Sequence, residues 1–302
     1  IKEAVNSALA QAEITEENNI FAGGAGTKEN PFEIATEQQL RDFAASVDQG
    51  KTYAKQYVTL TNDITLSETS FEPIGESDKY FAGTFDGNSH TISNLTIGND
   101  TLDEGDAQAG LFDTLAASAV VENVHLKNAN ISVSGSGVVR AGGITGDVKS
   151  GTAEEHPLIN NCTVDGSISA ETNGGKICIA GGIAGRIQQY GYITNCGTHT
   201  DIHAVSNDGK PSAYAGGIVG MTGNKSVIAN AYAFGNISAE APESNIFGGM
   251  AGGIVGMHAS KIYNVYATGN VTIANAGVEH KWVGGIAGDY TANVKENDAV
   301  YG

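Results

Sequence analysis

The sequence predicts an all-β fold, a parallel β-helix closed at its amino-terminal end by a small cap containing one helix. Three observations carry that prediction. A glycine-pair motif recurs every 32 to 39 residues, an asparagine signature follows each copy, and the intervening apolar residues alternate with strand period.

The glycine motif reads "AGLFDT" at Ala109, "AGGITG" at Ala141, "AGGIAG" at Ala180, "AGGIVG" at Ala215 and Ala251, and "VGGIAG" at Val283. The companion signature centres on Asn123, Asn161, Asn195, Asn230, Asn264 and Asn297. Short runs such as "ISV" at Ile131, "ISA" at Ile168 and "VTI" at Val271 come after it. Each unit reads as three short strands, with the glycine motif as one of them. Stacked units put equivalent residues in columns about 4.8 Å apart. Ile144, Ile183, Ile218, Ile254 and Ile286 then fill the core, and the asparagines hydrogen-bond one another at a bend. Gly217 and Gly253 are expected to free a strand face so that a neighbouring segment can approach closely. A propeller blade typically needs four strands in an antiparallel meander, which this unit lacks.

Units differ in length mainly after the glycine motif. From its last glycine to the isoleucine two residues before the column asparagine there are 13 residues at Gly146, eight at Gly185 and Gly220, and six at Gly256. Such insertions belong at the edges of a solenoid, where binding loops sit.

The chain divides into a lead-in or linker over 1–29, a cap with the first coils over 30–98, and repeats over 99–302, the last incomplete. In the cap, Thr36 and Gln39 form a capping-box pattern ahead of Leu40, Phe43, Ala44 and Val47, and Gly50 ends that amphipathic helix. Such a cap covers strand edges and core that would otherwise face water.

Composition narrows the function. A net charge of −18 repels nucleic acid and anionic membrane surfaces. No apolar stretch approaches the roughly 20 residues a membrane helix needs, so direct membrane insertion is not expected. Phosphate-loop, dinucleotide, GxSxG and zinc-ligand patterns are absent from the sequence. No paired aspartates suggest glycosidase chemistry, and Arg140 and Arg186 lack a repeated acidic column beside them. No catalytic residue and no cofactor are therefore assigned. The run "NDTLDEGD" offers Asp100, Asp103 and Asp106 as calcium candidates, against the plainer reading of a solvated acidic loop without EF-hand spacing. Cys162 and Cys196 read as buried, stacked thiols, and His199 and His203 as ordinary surface residues.

One feature suits binding. Two and four residues after the column asparagine stand Tyr232 and Phe234, then Tyr266, and finally Tyr301. If Val124, Leu126, Cys162 and Val164 set the inward face throughout, these aromatics form an external strip. If the later coils reverse, Ala231 and Ala233 face out and the rings enter the core. The tendency of cores to claim large apolar residues favours the reversal.

The segments "NPFEIATEQQL", "YVTLTNDITL", "FAGTFDGNSHTISNLTI", "AGLF" and the "AGGIVG" series resemble bacterial surface proteins carrying the GLUG motif, a family that includes segments of IgA-peptidase proteins and adhesin-like proteins. The resemblance covers roughly residues 25–302 and implies a right-handed parallel β-helix on an exported, cell-attached protein. It implies an extracellular location and a host glycan or extracellular protein as partner. It does not imply peptidase activity, which in that family belongs to a separate HExxH zinc domain. A structural stalk and a β-helix polysaccharide lyase or hydrolase are the alternatives.

Overall fold

The computed structural model describes residues 20–67, 69–98, 105–207, 212–241, 248–258, 260–274 and 282–290. It is a parallel β-solenoid, nearly all strand, with one helix, α1 (Glu37–Asp48), among the described residues. One 16-stranded sheet and two six-stranded sheets run along it. Strands of successive coils pair in parallel, so each residue meets its counterpart one coil away.

The cap forms for local reasons. The Thr36 hydroxyl accepts from the Gln39 amide, while the Gln39 side chain accepts from the Ala35 amide at 2.8 Å. Donors that a helix start leaves open are thereby satisfied. Leu40, Phe43, Ala44 and Val47 are buried along one face. The Phe43 ring contacts Phe81 and Phe85 at 5.8 and 6.0 Å, tying α1 to the first coils. On the solvent side Arg41 pairs with Glu37, donates to the Ser70 carbonyl and lies over the Phe71 ring.

Each full coil contains four strand segments rather than three. The first precedes the asparagine, as in Tyr192–Thr194, and the second follows it, as in Gly197–Ser206. The glycine motif supplies the other two, which corrects its reading as a single strand. In "AGGIVG", Ala213–Gly216 belongs to one six-stranded sheet and Val219–Thr222 to the other, with Gly217 and Ile218 at the corner between them. Corner amides bond across coils: Ile144 to the Ile183 carbonyl, Ile183 to Ile218, and Ile218 to Ile254, each at 2.9 Å. The side chains of Ile144, Ile183, Ile218 and Ile254 are fully buried in the main core.

Asn123, Asn161, Asn195, Asn230 and Asn264 all hold φ between 47° and 57°. Few L-residues adopt this left-handed conformation, and asparagine does so most readily among non-glycines. The bend keeps the flanking strands in register while turning the chain, and the side chains form a ladder. Asn161 donates to Asn123 at 2.8 Å, Asn230 to Asn195 at 3.0 Å and Asn264 to Asn230 at 2.8 Å. The ladder steps sideways once, where Asn195 donates to Asn160, and ends with Asn123 donating to Asp86. A second ladder, absent from the sequence reading, runs Asp201, Asn236, Asn270 on the same sheet.

Candidate functional site

The strand segments after the asparagine bend present an aromatic strip. Ala231 and Ala233 are buried, at 3% and 2% exposure, so the later coils do not reverse. The cause lies across the core. Val164, Thr198, Ala233 and Ala267 occupy one column of the large sheet. Opposite them stand the corner glycines: a Cβ on Gly143, Gly182, Gly217 or Gly253 would lie only 2.5–2.7 Å from those four side chains. The core is therefore thin here, and the Thr198 hydroxyl reaches the Gly217 carbonyl at 2.9 Å. No aromatic ring fits such a gap, so Tyr232, Phe234 and Tyr266 project outward.

Their geometry is continuous. Tyr232 aligns with Gly197 on one side and Tyr266 on the other. The Tyr232 ring lies over Gly197, its Cζ 2.1 Å from where a Cβ would stand. Tyr232 stacks on Tyr266 at 6.2 Å, and Phe234 meets both tyrosines at 5.3 and 5.4 Å. His199 extends the strip, stacked on Phe234 at 4.8 Å, with its Nδ1 3.1 Å from Asp165. Tyr266 is 52% exposed and Tyr232 and Phe234 are half-buried. The sequence reading placed His199 among ordinary surface residues; its register with Phe234, one coil away, is the signal that unites them. Aromatic faces flanked by a histidine and a carboxylate suit stacking against sugar C–H faces or anchoring a protein side chain. Tyr301 lies outside the described residues, as does Asn297.

The other candidates separate. Asp100 and Asp103 lie outside the described residues. Asp106 accepts from the Val138 amide at 2.9 Å and lies 3.6 Å from Arg140, so its carboxylate engages the protein itself. Among the described residues no cluster of three or more His, Cys, Asp or Glu side chains is arranged to hold a metal. Cys162, Cys178 and Cys196 are buried free thiols, and burial raises the pKa of Cys162 and pushes that of Cys178 up to about 12.

Arg186 does have an acidic partner one coil away. It makes a bidentate pair with buried Asp147 at 2.8 and 2.7 Å. Close to this pair, burial pushes the carboxyl pKa of Asp113 up to about 7, with the Asp147 charge adding to the effect. Asp113 also lines a cavity of about 240 Å³ with Asp48, Glu72 and Glu76. These four carboxylates come from segments far apart in sequence, so no local motif announces them.

Comparison with known proteins supports the architecture. No family model matches the chain. A solved structure described as a putative immunoglobulin A1 protease from Bacteroides ovatus superposes with a TM-score of 0.65 at 26% identity, covering 89% of this chain and 74% of that one. Halomucin of Haloquadratum walsbyi is 34% identical over 166 residues, which are 51% of this chain and 2% of the relative. A putative Gly-rich membrane protein of Evansella cellulosilytica is 30% identical over 167 residues, 54% of this chain and 17% of the relative. The chain thus spans a small part of these two relatives.

Proposed function

We propose that this chain is a non-catalytic module of an exported bacterial surface protein, adhesin-like, in which the solenoid presents the strip His199, Tyr232, Phe234 and Tyr266 to a glycan or extracellular protein. The observation that carries this reading is the solvent-facing stack, with Tyr266 52% exposed. Large rings left in water at successive coil positions cost solubility without adding to the core, which is the usual mark of a contact surface. Support for the location comes from the name of the Evansella relative, a membrane protein, and from the resemblance to GLUG-motif surface proteins. The Bacteroides neighbour, described as a putative immunoglobulin A1 protease, supports the solenoid fold, and no proteolytic role is assigned to this chain.

Glycan-array and matrix-protein binding by the intact chain tests the proposal. Binding should fall sharply in Tyr232→Ala and Tyr266→Ala at unchanged melting temperature. Absence of binding to any of these probes would favour the alternative, a stalk that spaces other domains.

A further inference from the structure

On the other side of the asparagine bend a second recess opens, with about 400 Å³ of space. We propose that it binds a carboxylated sugar, such as a hexuronate unit of an acidic glycan.

Its walls are Tyr190, Tyr192, Lys225 and Lys261, with Val227, Ser260 and Ala153 completing the lining. The register builds it: Tyr192, Val227 and Lys261 occupy one outward column on three successive coils. Tyr190 and Lys225 stand in the turns leading into the first two of those strands, both with left-handed φ, at 56° and 63°. Ala153 comes from the 149–157 connection, the longest insertion after any glycine motif, at the solenoid edge where ligand-binding loops are expected.

A chain of net charge −18 here places two ammonium groups beside two phenol rings, and among the described residues no carboxylate lines the recess. Lys225 Nζ donates to the Tyr190 hydroxyl at 2.6 Å and lies 4.9 Å from that ring's centre. An ammonium has three donors, so this contact orients Lys225 and leaves it able to bond a carboxylate. The Tyr192 ring packs against the His156 imidazole, centroids 4.1 Å apart and tilted by 36°. His156 Nδ1 is buried and has no hydrogen-bond partner among the described residues. Lysine ammoniums for the carboxylate and tyrosine rings for the sugar ring together describe an acidic sugar. A volume of this order accommodates a small ligand.

Calorimetric titration of the full chain with trigalacturonate and with its carboxyl-reduced counterpart tests the site. The acid should bind, and the reduced sugar at least about tenfold more weakly, a difference of roughly 1.4 kcal/mol. Lys225→Gln and Lys261→Gln should each weaken the acid by a comparable factor, and Tyr192→Ala should weaken both sugars. Lys127→Gln, at an exposed lysine outside the recess, should leave this binding unchanged, which separates the recess from overall charge. Equal binding of the two sugars, indifference to both lysine substitutions at unaltered melting temperature, or absence of saturable binding would each overturn the proposal.

Discussion

Asn195 shows what a single position does in this fold. Its φ of 57° places a non-glycine residue in the left-handed region, and its side chain both donates to Asn160 and accepts from Asn230. Asn195→Ala removes two ladder bonds at about 1 kcal/mol each and adds ~1–2 kcal/mol of backbone strain. Asn195→Gly loses the bonds without adding the strain, so denaturant titration should find the glycine variant the more stable of the two. The reverse order would show that φ is not what selects asparagine there. Asp113 makes an opposite contribution. Its pKa rises from 3.8 to about 7 in the folded chain, so the folded state binds more protons than the unfolded state between those values. Stability associated with this group is therefore fully present below about pH 4 and is lost as pH rises toward 7. Asp113→Asn should match the natural protein near pH 4 and exceed it at pH 8, by at most ~4 kcal/mol at about 1.4 kcal/mol per pKa unit. Equal stabilities at both pH values would contradict this placement of the carboxyl.

At the scale of the element, the glycine corner is the device that shapes the coil. Two strands meet at Gly217 and Ile218: the isoleucine fills the main core, and the glycine lets the corner approach Ala233 closely. A Cβ at Gly217 would stand 2.2 Å from the Gly253 carbonyl and 2.5 Å from the Ala233 Cβ. Backbone on one side and a strand on the other leave no route for relaxation. Gly217→Val should therefore cost more than the ~1–3 kcal/mol of ordinary overpacking, read as a large fall in melting temperature or loss of folding. An unaltered melt would sink this account of the corner. The same thin core explains the aromatic strip: the glycine column excludes large side chains from the facing strand, and alternation turns them outward. Helix α1 is determined more locally, since Thr36, Gln39 and the spacing of Leu40, Phe43 and Val47 specify its start and buried face without reference to any coil.

For the whole molecule, each coil touches mainly its neighbours, so stability passes along the stack in nearest-neighbour fashion. The cap-side coils join an aromatic cluster of Phe21, Phe32, Phe43, Tyr53, Phe81, Phe85 and Phe112. In the last described coils Val283 is 49% exposed, and Val265, Ala267, Ile273 and Ile286 are only partly buried. The corner amides of Ile144, Ile183, Ile218 and Ile254 all bond to the next coil with lengths of 2.8–2.9 Å. Similar bonds in unequal surroundings should exchange unequally: hydrogen exchange should be slowest at Ile144 and Ile183 and fastest at Ile254. Uniform protection of all four would mean that the solenoid opens only as one unit.

The sequence by itself determined the repeat, its strand character, the isoleucine core and the capped helix. Each rests on spacing along the chain, and stacking turns equal spacing into columns. It did not determine the direction of the aromatic side chains, because local size and polarity permit either face. Only the tertiary structure decided that, by setting the corner glycines against Ala233 and Ala267 with no room for a ring between them. The tertiary structure likewise paired Arg186 with Asp147 and brought Tyr190, Tyr192, Lys225 and Lys261 to one recess. These residues belong to different coils, and their meeting depends on a register that no single repeat encodes.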